Sequence, residues 1–174
     1  MRTKIGSGLF LALVVLPLLI GYVTAPCDAW GVPVVLSPYR LRQARYLAQV
    51  TRWTDAVAEV GATLDTLAAA PAPQSTSAAF RLAEQVGQAA QQLATLAPPP
   101  APAEYSLLAL LLEQTRDTYA YAAEQLLVFY GTQDPQALAA AHVSLDLAAA
   151  ALAEARAGSA GLTYPLCREV WHER

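Results

Sequence analysis

The histidines are the first side chains to consider for acid–base or metal chemistry. His142 is followed four residues later by Asp146, which on a helix gives an ordinary surface pair. A di-iron helical bundle needs a Glu-x-x-His motif on two of its helices, and the residue three places before His142 is Ala139. Neither histidine has a fixed spacing to a serine, so a Ser-His-acid triad is not indicated. The histidines therefore predict no catalytic residue.

Carboxylates and cofactor motifs lead to the same expectation. Glu113, Asp117 and Glu124 lie in one predicted helix, but a metal site needs ligands that converge from several helices. Covalent haem needs Cys-x-x-Cys-His, which the chain lacks, and Met1 is the only methionine. We therefore expect no enzyme, no cofactor and no bound metal.

The two cysteines, Cys27 and Cys167, flank the predicted domain. In an up-down bundle both would lie at the same end, in an exported and oxidising compartment, so they are a candidate disulfide. Such a bond would close a loop of about 140 residues, for which chain entropy predicts roughly 4–5 kcal/mol. A lipidated Cys27 with Cys167 free, or two unpaired thiols, are the alternatives.

The N-terminal segment, residues 1–26, has the order of an export signal. A short basic stretch precedes the apolar run 9–20. Three outcomes fit: cleavage after Ala25, lipidation at Cys27, or a retained signal-anchor helix. Each of them places the following linker, residues 27–37, and the rest of the chain on the extracytoplasmic side of the membrane.

Aromatic and basic residues near the predicted membrane surface are candidates for the lipid interface, because tryptophan, tyrosine and arginine favour headgroup level. Arginines on an ordinary solvated face, and a C-terminal tail (159–174) packed on the bundle base, are the alternative interpretations. The net charge of −3 and the scattered arginines argue against nucleic-acid binding. The candidate interface residues are Tyr22, Trp30, Arg40, Arg42, Arg45 and Trp171.

Composition fixes the class of protein. Of 174 residues, 55% are hydrophobic and 14% are charged, and 37 are alanine. A disordered chain would have more charge and fewer large apolar residues. A polytopic membrane protein would have more than one continuous apolar stretch. One alanine-rich helical domain behind one membrane-directed segment is the expected class.

Proline and glycine divide residues 38–158 into four helical runs. Within each run the apolar residues recur in steps of three and four, the spacing of helices that cross at about 20°. Short links between the runs favour antiparallel neighbours. The sequence therefore predicts an all-α fold, an antiparallel up-down four-helix bundle preceded by one N-terminal hydrophobic helix. The predicted helices are about 38–70, 76–97, 102–131 and 135–157.

The predicted function is that of a non-enzymatic interaction or structural accessory module, tethered to the membrane and in contact with a protein partner. The alternative is a sensor or carrier that holds a small molecule between alanine-lined helices. Its pocket would be lined by Trp53, Tyr119 and Tyr121. A metal-carrying enzyme is the third hypothesis, without a motif to support it.

Overall fold

The computed structural model describes residues 38–160 of the chain. The predicted signal or anchor segment and linker, residues 1–37, lie outside this range, as do residues 161–174. The predictions for Tyr22, Cys27, Trp30, Cys167 and Trp171 therefore concern residues outside the described ones.

The described chain is all-helical, and residues 38–160 contain no strand. Four helices pack against one another. The packing takes place within a compact unit of residues 45–161, and residues 38–44 of the first helix lie outside that unit. The elements in chain order are α1 (Pro38–Ala68), α2 (Thr76–Thr95), a 3-10 turn (Ala103–Tyr105), α3 (Ser106–Thr132) and α4 (Pro135–Ala160).

The helix starts follow local capping chemistry. The side chain of Ser75 accepts a hydrogen bond from the amide of Ala78, 3.2 Å away, and caps α2. Before α4, the Asp134 carboxylate accepts from the Gln136 amide at 2.9 Å, and Pro135 occupies the first helical position. Helix α3 begins at Ser106 rather than near 102, because the residues before it form the 3-10 turn.

Glycine is the residue type that most often stands just past a helix end, yet Gly131 and Gly158 both lie within helices. Helix α3 ends instead at Gln133, which has a φ of 58° and whose amide donates to the Phe129 carbonyl. The Gln133 side chain also donates to the Pro73 carbonyl at 3.2 Å, in the link before α2. Through this tertiary contact the left-handed residue at the end of α3 is Gln133, two positions after Gly131, the residue that glycine preference alone would suggest.

The core lies along the predicted steps of three and four. On α1 every predicted core residue is buried, and α3 and α4 are buried mainly at their predicted positions. The buried predicted residues are Tyr46, Val50, Trp53, Val57, Val60, Leu64, Leu67, Val86, Ala89, Leu93, Leu112, Thr115, Tyr119, Ala122, Leu126, Phe129, Ala141, Leu145, Ala148, Leu152 and Ala155. Five further positions predicted by the same steps are only partly buried, so the periodicity locates most of the core: Ala79, Leu82, Leu96, Leu108 and Leu138.

Helix α4 is rich in alanine, and these small side chains allow neighbouring helices to approach it closely. It packs along α3, and α3 packs along α2. By length and composition α4 is also apolar enough to cross a membrane, with a mean hydropathy of 1.4. One third of that apolar window, 33%, is buried inside the protein, and Val143 and Leu147 on the same helix are exposed.

The few polar groups in the core are satisfied within their own helices. The Thr54, Thr115 and Ser144 hydroxyls donate to backbone carbonyls three or four residues earlier, at 2.7–2.9 Å. Such local bonds let small polar residues be buried without a partner on another helix. The packing between helices therefore depends chiefly on apolar contact.

Two buried tyrosines differ in the hydrogen bonding of their hydroxyl groups. The Tyr130 hydroxyl donates to the Leu67 carbonyl at the end of α1. The Tyr46 ring packs against the Tyr105 ring in a tilted arrangement, with centroids 5.1 Å apart, and its buried hydroxyl has no hydrogen-bond partner among the described residues. Burial, and then the neighbouring Tyr105, raise the pKa of Tyr46. Tyr130 therefore joins two helix ends, whereas Tyr46 contributes only its ring.

Candidate functional site

A surface cleft with a volume of about 400 Å³ lies between α1 and α4, with α3 beneath it. Its walls are mostly methyl groups, because four of the residues that line it are alanines. Its polar groups are one tyrosine, one aspartate and one arginine. The lining residues are Ala58, Ala62, Asp65, Tyr119, Ala149, Leu152, Ala153 and Arg156.

Tyr119 reaches this cleft from α3 across the backbone of α1. A Cβ atom at Gly61 would lie 2.8 Å from the Cε1, Cζ and hydroxyl oxygen of the Tyr119 ring. Gly61 is therefore the residue that lets the ring cross α1, although glycine inside a helix costs about 1 kcal/mol relative to alanine. The tyrosine itself is only 3% exposed. Its phenol end lines the cleft.

Replacing Gly61 by alanine is expected to lower the free energy of unfolding by up to about 2 kcal/mol. Overpacking against the buried ring costs about 1–3 kcal/mol, and the gain in helix propensity offsets only about 1 kcal/mol of that cost. Chemical denaturation of the two proteins measures the difference.

Gly87→Ala is the matched control, because a Cβ at Gly87 in α2 meets nothing within 4 Å. The free energy of unfolding of this variant should rise by up to about 1 kcal/mol, from helix propensity alone. Equal gains at both glycines would contradict the close approach of Tyr119 to α1.

The positive charge of the cleft is already balanced. The Arg156 guanidinium donates to the Asp55 carboxylate at 2.8 Å and to the Thr54 carbonyl at 3.4 Å, both on α1. Because this ion pair is largely exposed, its value is in fixing where Arg156 lies rather than in stability. Arg156 is thereby held at the mouth of the cleft.

The negative charge of Asp65 is not balanced in this way. Among residues 38–160, Asp65 has no ion-pair partner. Partial burial, and then the Asp146 carboxylate, raise the pKa of Asp65, while His142 opposes them. Burial also raises the pKa of Tyr119, and the Asp65 carboxylate adds to that shift while Arg156 opposes it. The Asp65 carboxylate therefore acts on the Tyr119 phenol across the cleft.

The three residues predicted to line one pocket lie in three places. Trp53 is buried in the core, where its indole Nε1 donates to the Leu96 carbonyl at 3.1 Å. Tyr119 lines the cleft just described. Tyr121 is about half exposed on the outer side of α3. Of the predicted set, only Tyr119 contributes to the alanine-walled cleft.

A second surface feature is the outer stripe of α3, which we define as Leu107, Leu110, Tyr121 and Val128. All four are exposed, and Leu107 is 82% exposed. They share one face of the helix at separations of 3, 11 and 7 residues, and the polar side chains of Gln114, Asp117 and Thr118 lie between Leu110 and Tyr121. Leu110 and Tyr121 also line a shallow depression of about 500 Å³ together with Glu113 and Asp117.

The predicted basic cluster lies at the start of α1. Arg40, Arg42 and Arg45 are exposed there. The carboxylates considered as metal ligands are on the outside of α3, where Asp117 pairs with Arg116 at 2.8 Å. Within residues 38–160, no three His, Cys, Asp or Glu side chains form a group that could hold a metal ion.

Sequence reasoning missed Asp65, Arg156 and Gly61 as parts of the cleft. Asp65 and Arg156 look like ordinary polar-face residues, and Arg156 pairs with Asp55, 101 positions away in the chain. An isolated glycine inside a helical pattern, such as Gly61, was a weak signal, because Gly87 shows the same pattern and has open space around it.

These observations define the class of protein as an all-helical bundle with an apolar surface stripe and an alanine-walled cleft. No protein family, no curated protein and no solved structure matches this chain. Its function is therefore inferred from the two surface features.

Proposed function

We propose that this chain is a membrane-tethered, extracytoplasmic helical bundle without enzymatic activity, which binds a protein partner through the outer stripe of α3. The observation that carries the proposal is the exposure of four large apolar side chains along one helix face. Single exposed apolar residues are ordinary on protein surfaces, whereas several that share one helix face are typical of an interaction site. Leu107, Tyr121 and Val128 are separated by multiples of seven residues, the repeat that suits a partner helix.

The charges beside the stripe indicate what kind of helix would fit. Glu113, Asp117 and Glu124 lie four and seven residues apart, along the same flank of α3, and Asp117 is already paired with Arg116, so Glu113 and Glu124 give the flank its negative charge. Glu113 and Asp117 border the depression between Leu110 and Tyr121. A partner helix with an apolar seam and flanking lysine or arginine would complement this surface, because opposite charges at the edge of an apolar seam favour pairing.

The antiparallel up-down order of the helices is part of the same proposal. Three contacts of α1 support it: the indole of Trp53 with Leu96 after α2, Leu67 with Tyr130 near the ends of α1 and α3, and Asp55 with Arg156. They pair the middle of α1 with the ends of α2 and α4. The far end of α1 is paired with the end of α3.

The membrane tether in this proposal comes from the sequence. A basic stretch before an apolar run directs the N-terminus to the cytoplasm and the following chain across the membrane. Retention as an anchor helix, cleavage after Ala25 and lipidation of Cys27 remain the three alternatives for this segment. The Cys27–Cys167 disulfide remains a prediction as well.

Site-specific photo-crosslinking in the cells that produce the protein tests the proposal. A photoreactive amino acid at Leu110 or at Tyr121 is expected to give one discrete heteromeric adduct, since both positions border the same depression. Mass spectrometry identifies the adduct. The substitutions Glu113→Lys and Glu124→Lys together should abolish it by reversing the charge of the flank.

The same photoreactive residue at Gln91 is the control, because Gln91 is exposed on α2, away from the stripe. Identical adducts from Gln91 and Leu110 would contradict a specific surface on α3. An adduct with the mass of two copies of this chain would contradict a basic partner, since the acidic flank repels its own copy.

A further inference from the structure

We propose that the cleft between α1 and α4 binds a small organic amine, with its ammonium group on Asp65 and its apolar body against the alanine walls. This site is separate from the outer stripe of α3 and does not depend on the function proposed for that stripe. Three observations carry the inference: the unbalanced charge, the buried tyrosine and the shape of the walls.

The charge of the cleft selects a cation. Arg156 is neutralised by Asp55, 2.8 Å away, so the two groups leave no net charge at that end. Asp65 lines the cleft without an ion-pair partner among residues 38–160, and the Asp146 carboxylate lies close enough to raise its pKa. His142 is the nearby group that acts in the opposite direction. A bound ammonium would relieve the repulsion between the two carboxylates.

The buried tyrosine supplies a second polar contact. The Tyr119 hydroxyl makes no hydrogen bond with any residue of the described range, although the side chain is 3% exposed. The Tyr119 oxygen is not among the enclosed polar atoms of residues 38–160 that lack a partner, so it is open to the cleft, where it is placed to bond a ligand. Its oxygen can accept from an ammonium N–H group. Gly61 keeps the ring in this position by leaving room for it.

The walls set the size and nature of the rest of the ligand. A volume of about 400 Å³ lies at the lower end of the range of small-molecule sites. Alanine methyl groups on α1 and α4, together with Leu152, offer apolar contact but no further hydrogen bonds from their side chains. Two other surface clefts, of about 490 and 500 Å³, are larger but are not lined by a buried polar side chain. Chemistry rather than volume therefore singles out this cleft.

Titration calorimetry of the full-length chain with 2-phenylethylamine tests the inference. Its neutral analogue 2-phenylethanol and its anionic analogue 3-phenylpropionate have similar apolar bodies and differ in charge. We expect saturable binding of the amine. The affinity for the alcohol should be at least about ten-fold lower, because the alcohol cannot make the charge-assisted hydrogen bond. Equal binding of amine and alcohol, tighter binding of the acid, or no binding of the amine would each overturn it.

Variants locate the binding in the cleft. Asp65→Asn should lower the affinity for the amine at least about ten-fold. Glu84 is a carboxylate exposed on α2, and Glu84→Gln should leave that affinity unchanged. Ala149→Leu fills the cleft at an exposed position without changing any charge and should also abolish binding. Amine affinity that Asp65→Asn and Ala149→Leu leave unaltered would place the site elsewhere and overturn the proposal.

Discussion

Replacing Trp53 by alanine is expected to lower the free energy of unfolding by about 3–5 kcal/mol, the usual cost of removing a buried tryptophan. Trp53 is 6% exposed and lies in the core formed by α1. Its loss leaves a cavity and also removes the indole hydrogen bond to the Leu96 carbonyl, which ties α1 to the end of α2. Chemical denaturation followed by circular dichroism measures the change.

Two further variants separate packing from hydrogen bonding. Phe80→Ala removes an aromatic side chain that is 71% exposed on α2, and it should change stability by less than about 0.5 kcal/mol. Trp53→Phe keeps an aromatic ring but loses the indole N–H, and should give an intermediate loss. A negligible effect of Trp53→Ala would contradict its place in the core.

Tyr130→Phe is expected to cost about 1–3 kcal/mol, because the buried Leu67 carbonyl then loses the tyrosine hydroxyl that bonds it. Helices α1 and α3 would lose the hydrogen bond that joins their ends. Thermal or chemical denaturation of the variant provides the measurement.

Tyr46→Phe is the matched control, since it removes the same hydroxyl from a tyrosine of similar burial. The Tyr46 hydroxyl has no hydrogen-bond partner among the described residues, so this change should be neutral or stabilising. Equal losses in the two variants would show that the hydroxyls stabilise the bundle in some way other than the bond to Leu67.

The core of the bundle was predictable because helix periodicity is a local property. Val57, Leu64 and Leu126 follow apolar steps of three and four, and each of them is fully buried. Positions beside those steps were missed, among them Leu47 and Ala123. A helix that contacts more than one neighbour buries a wider arc than a single stripe, and its width depends on the neighbours.

The helix ends were less predictable than the helix interiors. Glycine at 131 and 158 suggested two ends, yet both residues are helical, and Gln133 takes the left-handed conformation. The bond from Gln133 to the Pro73 carbonyl joins residues 60 positions apart. No local pattern records such a contact, so the choice between two nearby end positions belongs to the tertiary structure.

The candidate cleft was predictable only in part. Tyr119 was named from its type and spacing, and alanine-lined walls were expected to leave a gap. The companions expected for it, Trp53 and Tyr121, lie in the core and on the outer surface of α3 instead. Side-chain direction on a helix depends on which arc faces which neighbour, and residue type does not encode this.

The sequence by itself determined the helical class, the number of helical runs in the described domain and most of the residues in its core. These follow from propensity and periodicity, which act over a few neighbouring residues. The tertiary structure alone decided that the Tyr119 ring would cross Gly61, that Arg156 would pair with Asp55, and that Asp65 would line a cleft without an ion-pair partner. Each of these depends on residues far apart in the chain, brought together by the way the helices pack.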